Sequence, residues 1–301
     1  MKQTNFKAYI AWIAICILWG TTYLFIRIGV EELPPMLFAG IRWIIAGTIL
    51  VLIQKAFGNK FPAKNEILPL AIVGIALIGI ANGLVVVAEQ WIPSGLAALL
   101  ITTLPFWMVG FESLLPKGQK INIKIILGLI LGMIGVLLIL GRDINIWINS
   151  GYLLGTLALM GAVISWSLGS IYSKYRNVSV HPMMGAAVQM LIAGSLQALL
   201  GLVLGEHHVF HLTGNGIIAT AYLIIFGSIF GYASYMYAIV HLPLSLVSTY
   251  AYINPVIALV LGWYYLNEQL TINILFATIL ILIGVMLVQR GSTAVQVDQK
   301  V

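Results

Sequence analysis

The chain has 301 residues, of which 61% are hydrophobic and 8% are charged, and its mean hydropathy is +1.04. Soluble domains carry about 25% charged residues, so this composition excludes an ordinary soluble protein and indicates an integral membrane protein. The net charge of +6 stands mostly in short loops between apolar runs. We therefore expect the basic residues to set the membrane topology and not to bind nucleic acid.

The apolar runs are about 20 residues long, which is enough to cross a bilayer as a helix. They lack the ten-residue alternation that is typical of a membrane β-barrel. The sequence therefore predicts an all-α membrane protein with ten transmembrane helices. The predicted spans are 6–26, 35–54, 67–88, 94–115, 121–140, 151–173, 182–204, 214–239, 244–266 and 271–289. The first run has no cleavage pattern, so we expect a retained helix.

The distribution of Lys and Arg predicts that both termini are cytoplasmic. With the N-terminus inside, only Arg27 and Arg142 fall outside, and Arg42 falls within a span. The basic residues then assigned to the inside are Lys2, Lys7, Lys55, Lys60, Lys64, Lys117, Lys120, Lys124, Lys174, Arg176, Arg290 and Lys300. This bias is the positive-inside signal. We expect a multi-pass membrane protein.

The sequence contains two copies of one five-helix unit. Pro35 to Gly47 returns as Pro182 to Gly194 at an offset of 147 residues, which pairs Arg42 with Gln189. Further pairs are Trp19 with Trp166, Pro93 with Pro243, Pro105 with Pro255 and Gly135 with Gly284. Because five is odd, the second copy must be inverted in the membrane, as is typical of secondary transporters. We place the copies at 6–141 and 151–290, followed by a disordered cytoplasmic tail at 291–301.

Motifs in both copies resemble the EamA repeat of the drug/metabolite transporter superfamily. The first copy carries Trp19-Gly20-Thr21-Thr22-Tyr23, Arg27, Pro34-Pro35, Arg42, Ala88 and Ser94 to Leu100 before Pro105. The second copy carries Ser165-Trp166, Ser245 to Ser248, Tyr252-Ile253-Asn254-Pro255 and Leu266-Asn267-Glu268. The run from Ala81-Asn82-Gly83 to Pro93-Ser94-Gly95 is similar to the YedA-like branch of bacterial inner-membrane proteins.

The resemblance implies ten helices, cytoplasmic termini and a central cavity lined chiefly by helices 1, 3, 4, 6, 8 and 9. Family members mostly export amino acids and other small metabolites, which makes a small-molecule solute and membrane lipid the implied partners. One position departs from the pattern: Glu268 ends helix 9, whereas the first copy has Pro116-Lys117-Gly118 at the equivalent place. A gate role for that glutamate is therefore in doubt here.

Aromatic and polar residues are dense in the helices that the resemblance assigns to the cavity. Such residues could stack on an organic solute and orient it, and packing or interfacial anchoring is the alternative for each. The candidate substrate-binding residues are Trp19, Tyr23, Asn82, Trp107, Trp166, Tyr232, Tyr235, Tyr250 and Asn254. We also expect Pro105 and Pro255 to kink helices 4 and 9, and thus to free carbonyls near the cavity.

Glu89 is the acid best placed to carry a proton. It ends helix 3 on the predicted outer side, and Asn82 lies seven residues earlier on the same helical face. An interfacial cap is the alternative. Glu112 is expected instead to extend toward the inner surface near Lys117.

Arg42 lies about 10 Å below the surface, counting 1.5 Å per residue from Pro35. An arginine at such depth costs about 3 kcal/mol or more, so it needs a partner. It could neutralise a substrate carboxylate, or it could brace helix 2. Since Gln189 holds the equivalent place without a charge, and since the resemblance puts helix 2 outside the cavity lining, we favour the brace. We therefore expect Arg42→Gln to lower thermal stability by several degrees and to retain measurable flux.

The sequence shows no phosphate-binding loop for ATP, so transport would be driven by gradients, with the proton as candidate coupling ion. His207, His208 and His211 could bind a metal, but a solvated loop is the expected role, and we expect no metal or cofactor. Since no catalytic constellation is visible, we do not expect an enzyme. Small-residue pairs such as Gly128 and Gly132 favour helix contacts within the bundle, hence a monomer or weak homodimer.

The expected function is a secondary transporter that exports small polar or amphipathic metabolites, such as amino acids, across the inner membrane by alternating access. The alternative is a membrane receptor or scaffold that keeps the fold without transporting.

Overall fold

The computed structural model describes residues 2–92, 94–116, 118, 120–140, 150–176, 178–257 and 272–298. The structure is built from α-helices, two of which contain π-helical segments. In chain order the helices are α1 (Lys2–Glu32), α2 (Pro35–Ala56), α3 (Lys64–Ala88), α4 (Ser94–Ile101 and Leu104–Ser113), α5 (Ile123–Leu140), α6 (Ser150–Tyr175), α7 (Pro182–Val203), α8 (Gly214–His241), α9 (Leu244–Ile257) and α10 (Ile272–Asp298).

Six of the described helices, α1, α2, α3, α6, α7 and α8, are long and apolar enough to cross a membrane. Shorter apolar stretches lie in α5, α9 and α10, at Ile123–Gly135, Leu244–Ile257 and Ile279–Val288. The expectation of an all-α membrane protein is confirmed, and the exact number of ten spans stays a prediction. Arg142 and Glu268 lie outside the described residues.

The two halves of the chain run through the bundle in opposite directions. At one end, which we call the Glu89 end, α1 finishes and Arg27 donates a hydrogen bond to the backbone carbonyl of Glu89. The helix α6 begins at the same end, where Gly155 packs against Ile92. At the opposite end, which we call the Lys174 end, α6 finishes and Lys174 donates to the carbonyl of Leu242. The antiparallel course of α1 and α6 is the inversion that an odd number of helices requires.

Glycines allow equivalent helices of the two halves to pack closely. The helix α2 packs along α7, and α5 packs along α10. A Cβ atom on Gly194 of α7 would lie 2.8 Å from Trp43 Cβ and 2.9 Å from the backbone nitrogen of Ile44, both on α2. Similarly, a Cβ on Gly128 of α5 would lie 2.6 Å from the carbonyl oxygen of Gly284 on α10. These small residues therefore serve contacts within the chain.

Both α3 and α8 contain a π-helical segment, at Ile75–Asn82 and Leu223–Tyr232. A π-helix displaces the regular hydrogen-bond ladder, and such segments often mark functional sites. Side chains of neighbouring helices bond to the carbonyls of these segments: Ser165 to Ala76 at 2.8 Å and Trp19 to Gly227 at 3.0 Å. The repeat thus places an irregular segment in each half, next to the helix that begins the opposite half.

Two helix ends differ from the sequence-based expectation. The helix α1 continues to Glu32, where Arg27 and Glu31 form an ion pair of 2.7 Å one turn apart. The helix α10 continues to Asp298, into the segment expected to be a disordered tail, since no proline interrupts residues 291–298. The break in α4 at 102–103 falls where a kink was expected, just before Pro105, which has no amide hydrogen to continue the ladder.

Candidate functional site

A cavity of about 90 Å³, partly open to solvent, lies between the two halves. Its lining comes from α1, α2, α3, α4, α6, α8 and α9. The lining residues are Trp19, Thr22, Tyr23, Ile26, Arg42, Trp43, Ala81, Asn82, Val85, Ile101, Leu104, Ala162, Val163, Trp166, Leu223, Gly227 and Tyr250. All six helices that the resemblance implies contribute to the lining, and α2 contributes as well. On α1 and α3 the lining residues fall in the half nearer the Glu89 end.

Arg42 joins α2 to the π-helical segment of α3 at the cavity wall. Its Nη2 donates to Asn82 Oδ1 at 2.6 Å, and Trp43 Nε1 donates to the same oxygen at 3.0 Å. The guanidinium carbon also lies 4.5 Å from the centre of the Trp43 ring. Within the described residues Arg42 Nε is buried without a hydrogen-bond partner. Arg42 is thus held by Asn82 through Nη2, while its Nε–H group remains free to donate a hydrogen bond.

The second half repeats this contact without a charge. Gln189 Oε1 of α7 accepts a hydrogen bond of 2.7 Å from the hydroxyl of Tyr232, the last residue of the π-helical segment of α8. Asn82 is likewise the last residue of its segment in α3. In each half, therefore, the polar residue at the centre of the second helix bonds to the end of the π-helical segment in the third.

Aromatic rings form the wall of the cavity that faces the Lys174 end. Trp19 lies at the centre, with ring centroids 5.3 Å from Trp166, 5.2 Å from Tyr235 and 5.0 Å from Tyr250. Trp166 Nε1 donates to the hydroxyl of Tyr235 at 2.8 Å. The indole nitrogens of Trp19 and Trp166 both donate to protein groups, the Gly227 carbonyl and the Tyr235 hydroxyl. These two indoles therefore offer a solute their ring faces.

Glu89 is buried at the end of α3, and no described residue donates a hydrogen bond to either of its carboxylate oxygens. Two arginines, Arg27 and Arg42, act on its charge from α1 and α2, and Tyr23 is a further neighbour. A buried carboxyl group without a partner is costly unless it is neutralised or serves a function. Glu89 lies beside the cavity but is not part of its lining.

Polar contacts close the Lys174 end of the bundle. Glu112 of α4, which is 1% exposed, accepts a hydrogen bond of 2.8 Å from the Tyr175 hydroxyl and lies 3.7 Å from Lys174 Nζ. Lys174 also donates to the Leu242 carbonyl at 3.0 Å. The sequence had suggested that Glu112 extends toward the membrane surface, and the structure instead buries it in a contact between α4, α6 and the turn after α8.

A second cavity of about 130 Å³ lies at the Lys174 end, between α3, α6, α7 and α8. Its lining residues are Pro69, Leu70, Val73, Tyr172, Ser173, Lys174, Arg176, Val178, Val180, Pro182, Gly185, Gln189, Met236 and Val240. Gln189 lines this cavity and bonds to Tyr232, whose ring lies 5.6 Å from Trp43 and 6.4 Å from Trp166 of the first cavity. A thin layer of side chains therefore separates the two cavities.

The structure brings most of the candidate substrate-binding residues together. Those that line the first cavity are Trp19, Tyr23, Asn82, Trp166 and Tyr250. Tyr232 and Tyr235 lie behind this wall and are fully buried. Asn254, with its amide nitrogen directed at the backbone, donates to the carbonyls of Cys16 at 2.9 Å and Tyr250 at 3.0 Å. Trp107 lies away from the cavity, 36% exposed and next to Phe111.

The two expected kinks do not fall in equivalent places. The break in α4 directly precedes Pro105, which stands in the first turn of the second segment. In α9 the turn lies at Ser248 and Thr249, one to two helical turns before Pro255. The hydroxyls of both turn residues donate to backbone carbonyls, at 3.1 Å for Ser248 and 2.6 Å for Thr249, and thereby satisfy the interrupted backbone.

Two features of the site were not predicted from the sequence. Trp43 and Arg42 line the cavity, although helix 2 was expected to lie outside it. A tryptophan next to a buried arginine was the one feature of the sequence that could have indicated this. The π-helical segments leave no comparable signal, because their composition is that of an ordinary apolar helix.

The paired, inverted halves around a cavity with aromatic walls define a membrane transporter. The description of the matching family model is the EamA-like transporter family, and the match covers residues 6–141 and 153–290. The chain belongs to this family. The resemblance found in the sequence is thereby confirmed.

Similar proteins support the assignment. The chain is 36% identical over 250 residues to the "Uncharacterized inner membrane transporter YedA" of Escherichia coli K12, over 83% of this chain and 79% of that protein. It is 27% identical over 288 residues to the "Uncharacterized transporter YoaV" of Bacillus subtilis, over 93% and 95% of the two chains. A solved crystal structure matches with a TM-score of 0.78 at 20% identity, over 95% of this chain and 98% of that one; this likeness shows the fold alone.

Proposed function

We propose that the protein is a secondary transporter that exports small polar or amphipathic metabolites, amino acids among them, across the inner membrane by alternating access. The observation that carries the proposal is the pair of cavities at opposite ends of an inverted repeat, separated by Gln189, Tyr232 and the aromatic wall. Exchange of the conformations of the two halves would open one cavity as the other closes, as inverted repeats in transporters allow.

The first cavity has the chemistry of a small-molecule site. Such sites typically have apolar and aromatic walls and a few polar groups that fix orientation. Here Arg42, Asn82 and Thr22 supply polar atoms among apolar and aromatic residues. The lining therefore supports a solute with both a polar and an apolar part.

Glu89 is our candidate for coupling solute movement to a proton gradient. Its burial, its lack of described hydrogen-bond donors and its closeness to Arg42 support this role, because a proton could neutralise the carboxylate as the charge of the cavity changes. Both termini are proposed to be cytoplasmic, which would make the Glu89 end the outer end. The first cavity would then be the outward one.

Flux in liposomes that contain the purified protein tests the proposal. A panel of radiolabelled amino acids and small metabolites should include at least one solute that exchanges across the membrane. Ala162→Trp, which fills the cavity from a lining position on α6, should abolish that flux. Leu168→Trp is the matched control, because Leu168 is half exposed on the outer surface of the same helix. Absence of flux for the whole panel would favour a receptor or scaffold instead.

A further inference from the structure

We propose that the transported solute is an aromatic organic anion, whose carboxylate binds Arg42 and Asn82 and whose ring lies against Trp19, Trp43 and Trp166. This inference rests on the proposed transport function and narrows its substrate class to anions, so zwitterionic amino acids would not be the preferred solutes. The residues named all line the first cavity.

The charged group at the surface of the cavity favours an anion. Among the described lining residues Arg42 is the one charged side chain. Glu89 lies near Arg42 and acts on its charge, but it is not part of the lining and forms no ion pair with the guanidinium. Arg42 Nε has no hydrogen-bond partner among the described residues. A solute carboxylate would therefore bind the guanidinium from the cavity side, in the charge-assisted geometry that guanidinium groups favour.

The second half makes the equivalent contact without a positive charge. Gln189 makes the equivalent contact between the second and third helices with a neutral amide and the Tyr232 hydroxyl. A neutral residue therefore suffices for the brace in one half, whereas the first half has a cation that is expensive to bury. An ion pair with a ligand in the first cavity would explain why this position carries a charge.

The surroundings of Arg42 select against an amine and in favour of a ring. Asn82 Oδ1 already accepts hydrogen bonds from Arg42 and Trp43, so its amide nitrogen is the group left to donate to the same carboxylate. No acidic residue belongs to the described lining, so an ammonium group would lose its hydration without gaining a carboxylate partner. The indole faces of Trp19, Trp43 and Trp166 offer stacking surfaces to a planar group.

Four compounds with the same phenyl ring test the inference by their charge. We would measure binding to the purified, full-length protein by thermal shift and by tryptophan fluorescence, using 3-phenylpropanoate (anion), 3-phenylpropanamide (neutral), phenylalanine (zwitterion) and 2-phenylethylamine (cation). We expect 3-phenylpropanoate to bind at least tenfold more tightly than each of the others. Equal or tighter binding of the amide, the zwitterion or the amine, or no binding of any compound, would overturn the inference.

Variants of α2 then test whether Arg42 supplies the selectivity. Arg42→Gln should weaken binding of 3-phenylpropanoate at least tenfold, which equals about 1.4 kcal/mol, and Arg42→Lys should retain part of it. Lys55→Gln is the matched control, since it removes the same charge from an exposed position on the same helix and should change nothing. Wild-type affinity in Arg42→Gln would refute the inference. If Arg42→Gln does not fold, the inference is still tested by the binding of the four compounds to the wild-type protein and to Arg42→Lys.

The outcome is separable from that of the proposed function. Flux of a cationic or neutral solute in liposomes, without binding of 3-phenylpropanoate, would support the transport function and refute the anionic substrate.

Discussion

At the scale of single residues, the position of Arg42 fits both roles that the sequence presented as alternatives. The side chain braces α2 against Asn82 and at the same time lines the cavity. The sequence could identify the buried arginine and its neutral counterpart Gln189. It could not identify the partner, because the distance between α2 and α3 depends on packing that a one-dimensional pattern does not contain.

Glu89→Gln tests proton coupling at the residue scale. The substitution keeps the size of the buried side chain and removes the group that titrates, so we expect folding to be retained and the pH dependence of flux to be lost. The measurement is solute flux into liposomes at a series of external pH values, together with the thermal midpoint. Glu31→Gln is the control, since Glu31 is exposed at the same end and its ion pair with Arg27 contributes little. Unchanged pH dependence in Glu89→Gln would falsify the coupling role.

At the scale of helices, the sequence predicted most elements and the break in α4 next to Pro105, and it missed the π-helical segments. Length and hydropathy place a helix correctly, because a membrane span requires a continuous apolar run. The π-helical segments of α3 and α8 depend instead on which neighbouring side chains satisfy the displaced carbonyls. Ser165, Trp19 and Gln197 supply those hydrogen bonds from other helices. Such contacts are invisible in the sequence of the segment itself.

The close approach of α2 and α7 leads to a prediction about glycine. In Gly194→Ala the new methyl group would lie 2.8 Å from Trp43 Cβ and 2.9 Å from the Ile44 nitrogen, so the helices must separate. Overpacking of this kind costs about 1–3 kcal/mol. We therefore expect the thermal midpoint to fall by several degrees.

Gly110→Ala provides the matched control on α4. Nothing lies within 4 Å of the position that its new methyl group would occupy, so the midpoint should stay the same or rise slightly. An equal midpoint for Gly194→Ala and Gly110→Ala would show that α2 and α7 are not in close contact.

At the scale of the whole molecule, the membrane topology determines which of the two cavities lies nearer the outer side of the membrane. The bias of basic residues predicts cytoplasmic termini. A reporter enzyme that is active only outside the cytoplasm, fused after Val301, should therefore give no signal. The same reporter inserted in the loop after Val203 at His208 is the positive control, because that loop lies at the Glu89 end, where Glu206 caps α2. A signal from the C-terminal fusion would reverse the assignment of the outer end.

Transport by alternating access requires the Lys174 end of the bundle to open. Glu112, Lys174 and Tyr175 hold α4 against α6 at the Lys174 end, and Lys174 connects both to the turn after α8. Glu112→Gln removes the charge that attracts Lys174 and leaves an amide that can still accept from Tyr175. Removal of one partner of a buried ion pair is strongly destabilising, so the variant should favour a conformation in which the Lys174 end is open.

Thiol labelling can detect this shift, because the chain has a single cysteine, Cys16, which is buried. In a Cys16→Ala background, Met236→Cys places a thiol in the wall of the second cavity, where Met236 is 5% exposed. A membrane-impermeant maleimide should label this thiol slowly when Glu112 is present and at least several-fold faster in Glu112→Gln. A thiol in place of Lys60, which is exposed in the segment between α2 and α3, should react at the same rate in both proteins. Equal labelling rates at Met236→Cys, with the thermal midpoint of Glu112→Gln lowered, would mean that the contact only stabilises the fold and does not control opening of the Lys174 end.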